Sequence, residues 1–220
     1  MIYSTEEAFI KQERIRDKDD TRNTKVALPE VTVGVFSIKL IDSIVEKFNG
    51  ERVSYFEGTS YHRAVYIINY EGKDIVVFSA GVCGPLISSD IEELNYNGVN
   101  KFIIFGNCGV LDNSIEDCSI IISNKAFREE DTSYHYLPDS DSIVLSDEYK
   151  KDFIDILNKY DFDYREGATW TTEAFYRETK DKISYFKENG AVCVEMEAPV
   201  IAAVCKRKKS SLLYFLLCRR

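Results

Sequence analysis

The sequence predicts a single α/β domain with a mixed central β-sheet flanked by helices. Three observations predict it. Short β-branched and aromatic runs alternate with segments of helical apolar spacing along most of the chain. Two glycine-rich segments follow apolar strands, as in sheets whose ligands sit beyond the strands' carboxyl ends. The chain has 220 residues, 45% hydrophobic and 30% charged, which suits one globular domain and no disordered tract.

Residues 1–30 are polar and dense in charge of both signs, with Pro29 just before the first β-branched run, and read as an N-terminal arm. The domain is residues 31–220. The arm lacks the apolar stretch of a secretory signal, so a cytoplasmic protein is expected. Residues 31–36 read as a buried strand. Ile38, Leu40, Ile41, Ile44, Val45 and Phe48 then recur at helical spacing, and Asn49-Gly50 closes that helix. Residues 52–56, 64–70 and 74–79 read as strands, with a turn at Glu71-Gly72.

Ser79-Ala80-Gly81-Val82-Cys83-Gly84-Pro85 is a strand end that passes through two glycines into a proline at a first helical position, with helix to about residue 97. Glycines here let backbone amides approach an anion; a tight turn without a ligand explains the same residues. Residues 101–105 are an apolar strand followed by Gly106-Asn107-Cys108-Gly109, read as a second loop facing the same cleft. Residues 118–123 form another strand. The polar, aromatic segment 126–136 either lines a pocket for a planar base or is a surface loop.

Residues 147–160 form an amphipathic helix with Phe153, Ile156, Leu157 and Tyr160 on one side. A strand at 164–168, a helix at 180–189 stopped by Gly190, and a strand at 191–194 deliver Val194-Glu195-Met196-Glu197-Ala198. An ionised glutamate only accepts hydrogen bonds, so a sugar diol with two O–H donors suits one of this pair. The alternative is that both carboxylates belong to an ordinary helix first turn.

Several function classes fall away. A net charge of −9 argues against nucleic acid as a partner. The longest apolar run near the end, residues 212–218, is far short of the ~20 residues a membrane span needs. Six cysteines without a CxxC pair read as reduced core thiols. With His62 and His135 the only histidines, no metal site is expected, and no GxSxG or HExxH occurs.

Taken together, GVCGP at 81–85, FGNCGVLD at 105–112, REEDTSYHYLP at 128–138, TWTTEAFYRET at 169–179 and VEMEA at 194–198 resemble, in order and spacing, the nucleoside phosphorylase family of uridine and purine nucleoside phosphorylases. The resemblance spans roughly residues 60–207. It implies a phosphorylase/hydrolase-like fold and cleavage of the N-glycosidic bond of uridine or a purine nucleoside, in nucleoside salvage. Phosphate is then the co-substrate, ribose 1-phosphate and free base are the products, and no cofactor is needed. It further implies Glu197 as the ribose-hydroxyl ligand and Met196 as an apolar wall. Thr171, Thr172 and Phe175 become base-pocket residues, and Gly81 and Gly106 with Asn107 become parts of the phosphate end. Assembly in the family implies a homo-oligomer, dimer to hexamer, with His135 and Arg63 as contacts shared between chains and Arg63 a cation for phosphate.

Three departures from the family pattern bear on chemistry. Where the family has Gly-Asp-Pro-x-Arg, this chain reads Val33-Gly34-Val35-Phe36-Ser37-Ile38, without the phosphate arginine. A second family arginine is replaced by Ile104. After Glu197 no Asp or Glu follows, so the acid that meets the leaving purine is absent; such an acid contributes about 10²–10⁴-fold. The family's final helix is missing too, so the chain reads as C-terminally truncated with apolar surface exposed around residues 212–217. Two alternatives follow, a phosphate-independent nucleosidase and an impaired nucleoside-binding remnant.

Overall fold

Strands and helices alternate as the pattern predicts in a computed structural model that describes residues 26–219. The part of the expected arm at residues 1–25 lies outside the described residues. In chain order the elements are β1 (Val31–Val35), α1 (Ile38–Phe48), β2 (Glu51–Gly58), β3 (Tyr61–Tyr70), β4 (Lys73–Ser79), α2 (Gly84–Tyr96) and β5 (Lys101–Val110). They continue with β6 (Ile120–Glu129), a 3₁₀ turn (Thr132–His135), β7 (Ser142–Val144), α3 (Lys150–Lys159) and β8 (Tyr164–Thr172). A second 3₁₀ turn (Phe175–Arg177), α4 (Lys180–Glu188), β9 (Ala191–Glu195), α5 (Ala198–Lys208) and β10 (Ser211–Arg219) complete them.

Local chemistry fixes the ends of α1. Ser37 Oγ accepts the Leu40 N–H at 3.3 Å, and Asn49 takes the left-handed conformation at φ 50°. The mixed sheet runs β10-β6-β8-β9-β5-β1-β4-β3-β2, with β7 on β6. Because β10 also pairs in parallel with β5, the strands β5, β10, β6, β8 and β9 close into a ring, which removes two edges. Successive side chains of a strand face opposite ways, and the core divides accordingly. Val76 and Phe78 of β4 join the large cluster that includes α2 and α5, while Val77 packs with Ile41 of α1.

Helix α5 is enclosed: Ala198 through Cys205 are all buried. Its small residues let it lie close to the sheet and to α2. Among the described residues no helix is long and apolar enough to cross a membrane.

Five expectations need correction. The segment 106–109 is not a loop, because β5 continues through it to Val110. Strand β6 likewise runs on to Glu129, well into the segment expected to be loop. Strand β8 extends to Thr172, past the expected end at 168. Residues 212–217 are not stranded surface: they lie in β10, where Leu212, Tyr214 and Leu216 are buried and only Leu213, Phe215 and Leu217 are half-buried. Leu213 lines an apolar cleft of about 340 Å³ with Phe102, Ile103, Phe153 and Ile156, which is what remains of the expected exposure. Finally, of the six free cysteines Cys118 is exposed and Cys83 half-buried; the other four are core thiols.

Candidate functional site

The end of β9 and the head of α5 carry the two glutamates into different surroundings. Glu195 is the last residue of β9 and is buried, so the helix-first-turn reading does not describe it. Its Oε2 accepts the N–H groups of Glu197 and Ala198, both at 2.7 Å, and the Tyr214 hydroxyl at 2.9 Å. Its Oε1 accepts the hydroxyls of Thr171 and Thr169. One carboxylate therefore caps α5 and ties β8, β9 and β10 together.

Glu197 is 7% exposed, and its Oε1 accepts the Cys83 N–H at 2.7 Å. Burial, then the charge of Glu195, push its carboxyl up to about 8. Cys83, at φ 71°, ends the glycine turn before α2. Its thiol is raised by burial and then by the charges of Glu197 and Glu173. A side chain at Gly84 would begin 2.7 Å from Thr132 Oγ1 and 3.1 Å from Glu173 Oε1, so the glycine makes room chiefly for Thr132 and also lets Glu173 come close.

Beyond Glu173 opens a polar cavity of about 470 Å³ lined by Arg128, Glu130, Tyr134, Thr172, Glu173 and Lys182, among others. Arg128 is buried, with Nε on Ser133 Oγ at 2.8 Å and Nη1 on Pro138 O at 2.7 Å, and it stacks over Tyr134. Burial, then Glu130, push the Glu173 carboxyl above its ordinary value.

On the other side of the turn, Gly81 N–H donates to Asp90 Oδ2 at 2.8 Å. Arg63 grips the same carboxylate through both terminal nitrogens, Nη1 to Oδ2 at 2.7 Å and Nη2 to Oδ1 at 2.6 Å. Its Nη1 also donates to Ser79 O at 2.6 Å. Burial raises the Asp90 carboxyl above its ordinary value, against the pull of Arg63 and the Gly81 N–H.

The expected site residues are thus partly gathered. Glu197 and Gly81 lie at the glycine turn and Thr172 lines the cavity, while Met196 is half-buried next to Glu197 in the chain. Thr171 is buried with its hydroxyl committed to Glu195. Phe175 is 62% exposed in its 3₁₀ turn. Gly106 sits within β5 under the Phe36 ring, and Asn107 beside it is exposed. His135 is exposed in the first 3₁₀ turn. Arg63 is turned inward to Asp90 of its own chain. Sequence reasoning passed over Asp90, Cys83, Glu173 and Tyr214, whose partners lie far along the chain; Asp90 carried one signal, a carboxylate amid an otherwise apolar helix face.

The model of the phosphorylase superfamily matches residues 37–217. A guanosine phosphorylase of Halorubrum lacusprofundi is 27% identical over 161 residues, 69% of this chain and 64% of that one. A DeoD-type purine nucleoside phosphorylase of Mycoplasma genitalium is 32% identical over 158 residues, 67% of this chain and 65% of that one. The chain therefore spans less than two thirds of these relatives' length. Among solved structures, the purine nucleoside phosphorylase of Toxoplasma gondii superposes with a TM-score of 0.78 at 18% identity, covering 89% of this chain and 82% of that one. A uridine phosphorylase of Vibrio fischeri gives 0.79 at 21%, covering 87% and 80%.

Proposed function

The chain belongs to the phosphorylase superfamily, and on that premise we propose that it cleaves the N-glycosidic bond of uridine or a purine nucleoside, with phosphate as co-substrate, in nucleoside salvage. The observation that carries the reading is Glu197, a buried carboxylate at the head of α5 whose Oε1 is joined to the glycine turn through the Cys83 N–H; Cys83 also feels the charge of Glu173, which lines a nucleoside-sized polar cavity. Sugar hydroxyls donate to Glu197, and Met196 walls the sugar. The base lies toward Thr172 and Glu173, whose carboxyl burial raises above its ordinary value beside the departing ring. As the bond breaks, positive charge develops on the sugar, and the Glu195–Glu197 carboxyl pair stabilises it electrostatically.

Base release from uridine, inosine and guanosine, measured with and without inorganic phosphate, tests this. Phosphate-dependent release with ribose 1-phosphate is expected; no release from any nucleoside sinks it. A second reading, with water as acceptor, is favoured by one observation: Arg63 is already paired with Asp90. Release that ignores phosphate and yields free ribose would select it.

A further inference from the structure

A backbone N–H at a strand end beside a guanidinium is a seat for an anion. Gly81 follows β4, and Arg63 lies on β3 opposite that end, since Val65 pairs with Phe78. The anion in this seat belongs to the chain itself. Asp90, on the second turn of α2 and 1% exposed, takes both Arg63 nitrogens and the Gly81 N–H. A side chain at residue 81 would begin 2.6 Å from Leu86 Cβ and 3.1 Å from both Arg63 Nη2 and Asp90 Oδ2, so the glycine makes room first for Leu86 and then for this pair.

The neighbouring strand end is filled as well. A side chain at Gly106 would begin 2.8 Å from the Phe36 ring, which reaches over from the turn between β1 and α1. A carboxylate and an aromatic ring thus stand at the two glycine segments. The seat lies two residues from Cys83, whose N–H holds Glu197, so it adjoins the sugar end of the site.

We propose that Asp90 is a built-in competitor for the acceptor anion: its carboxylate holds the seat of inorganic phosphate, which enters only by taking Arg63 and the Gly81 N–H from it. This rests on the nucleoside-cleaving reading. Asp90 is a positioning residue here, acting through Arg63. Removing its charge leaves Arg63 half-buried without a counter-ion, a vacancy that phosphate fills.

The test compares the full chain, Asp90→Asn, and Asp90→Asn with Arg63→Gln, each checked for folding by its melting transition. Phosphate and nucleoside KM are measured by base release, and binding of inorganic phosphate alone by calorimetry. In Asp90→Asn the phosphate KM is expected to fall about tenfold or more, with nucleoside KM within about twofold; the double variant should lose the gain. If the unmodified chain ignores phosphate, Asp90→Asn should acquire a phosphate response. An unchanged or raised phosphate KM in folded Asp90→Asn overturns the proposal. Should no variant release base from any nucleoside, the proposed function fails, and calorimetry decides this inference separately: binding gained on Asp90→Asn supports it, equal binding overturns it. Should Asp90→Asn not fold, the unmodified chain still decides: a phosphate Kd of about millimolar supports the proposal and a micromolar one overturns it.

Discussion

Two carboxylates flank Met196, and burial pushes both above their ordinary value. Around Glu195 five donors pull back toward the ionised form. Glu197 accepts from the Cys83 N–H, lies beside that charge, and is pushed up to about 8. Between the ordinary value of 4.5 and about 8 the folded chain holds a proton on Glu197 that the unfolded chain has released. Stability therefore falls as pH rises through that window and levels off above it. Melting temperatures from pH 5 to 9 should show this slope, and Glu197→Gln should flatten it; an equal slope in the variant would remove Glu197 as its source. Because sugar hydroxyls favour the ionised form, nucleoside binding near pH 7 should release up to one proton, read from calorimetry in buffers of different ionisation enthalpy. Glu195 also holds the fold together. Tyr214→Phe removes one bond to the Glu195 carboxylate and should cost about 1.5–3 kcal/mol in urea denaturation.

At the scale of elements, β10 closes the ring, and its two faces differ. Leu216 is 1% exposed inside the main core, whereas Leu213 is half-buried at the apolar cleft. Leu216→Ala should therefore cost about 2–5 kcal/mol, and Leu213→Ala clearly less. Equal costs would mean that the cleft face is covered. Leu212 to Leu217 read in sequence only as a continuous apolar run expected to lie exposed; its place in β10 and its closing role were not legible, since pairing with β5 and β6 is non-local. Gly106 and Gly109 misled in the same way. Glycine reads locally as a strand breaker, yet here it makes room for the Phe36 ring and for Val194, which are distant in sequence. Glu197 stood out in sequence because it lies in a distinctive short motif. Gly81 and Arg63 were singled out too, but their meeting with Asp90 was not legible, because the three come together only once β3, β4 and α2 are packed.

At the scale of the molecule, exposed apolar residues are ordinary when scattered and informative when joined. Phe175 and Tyr176 are 62% and 94% exposed, with ring centroids 5.3 Å apart, and they follow Ala174, which lines the polar cavity. Neither ring is among the residues that line the cavity within one chain, and both stand exposed just after one that does. A second copy packed against them would bury the rings and narrow the opening, so the site is expected to be completed by assembly. The net charge of −9 on each copy opposes that association, and salt screens the repulsion. Sedimentation velocity at micromolar concentration should show a dimer or larger species that gains population at higher salt. Tyr176→Glu should shift it toward monomer and raise nucleoside KM while leaving the melting transition of the monomer near that of the unmodified chain. A unmodified chain that sediments as a monomer and cleaves nucleosides at full rate would show that the cavity works alone, and that Phe175 and Tyr176 serve the base directly.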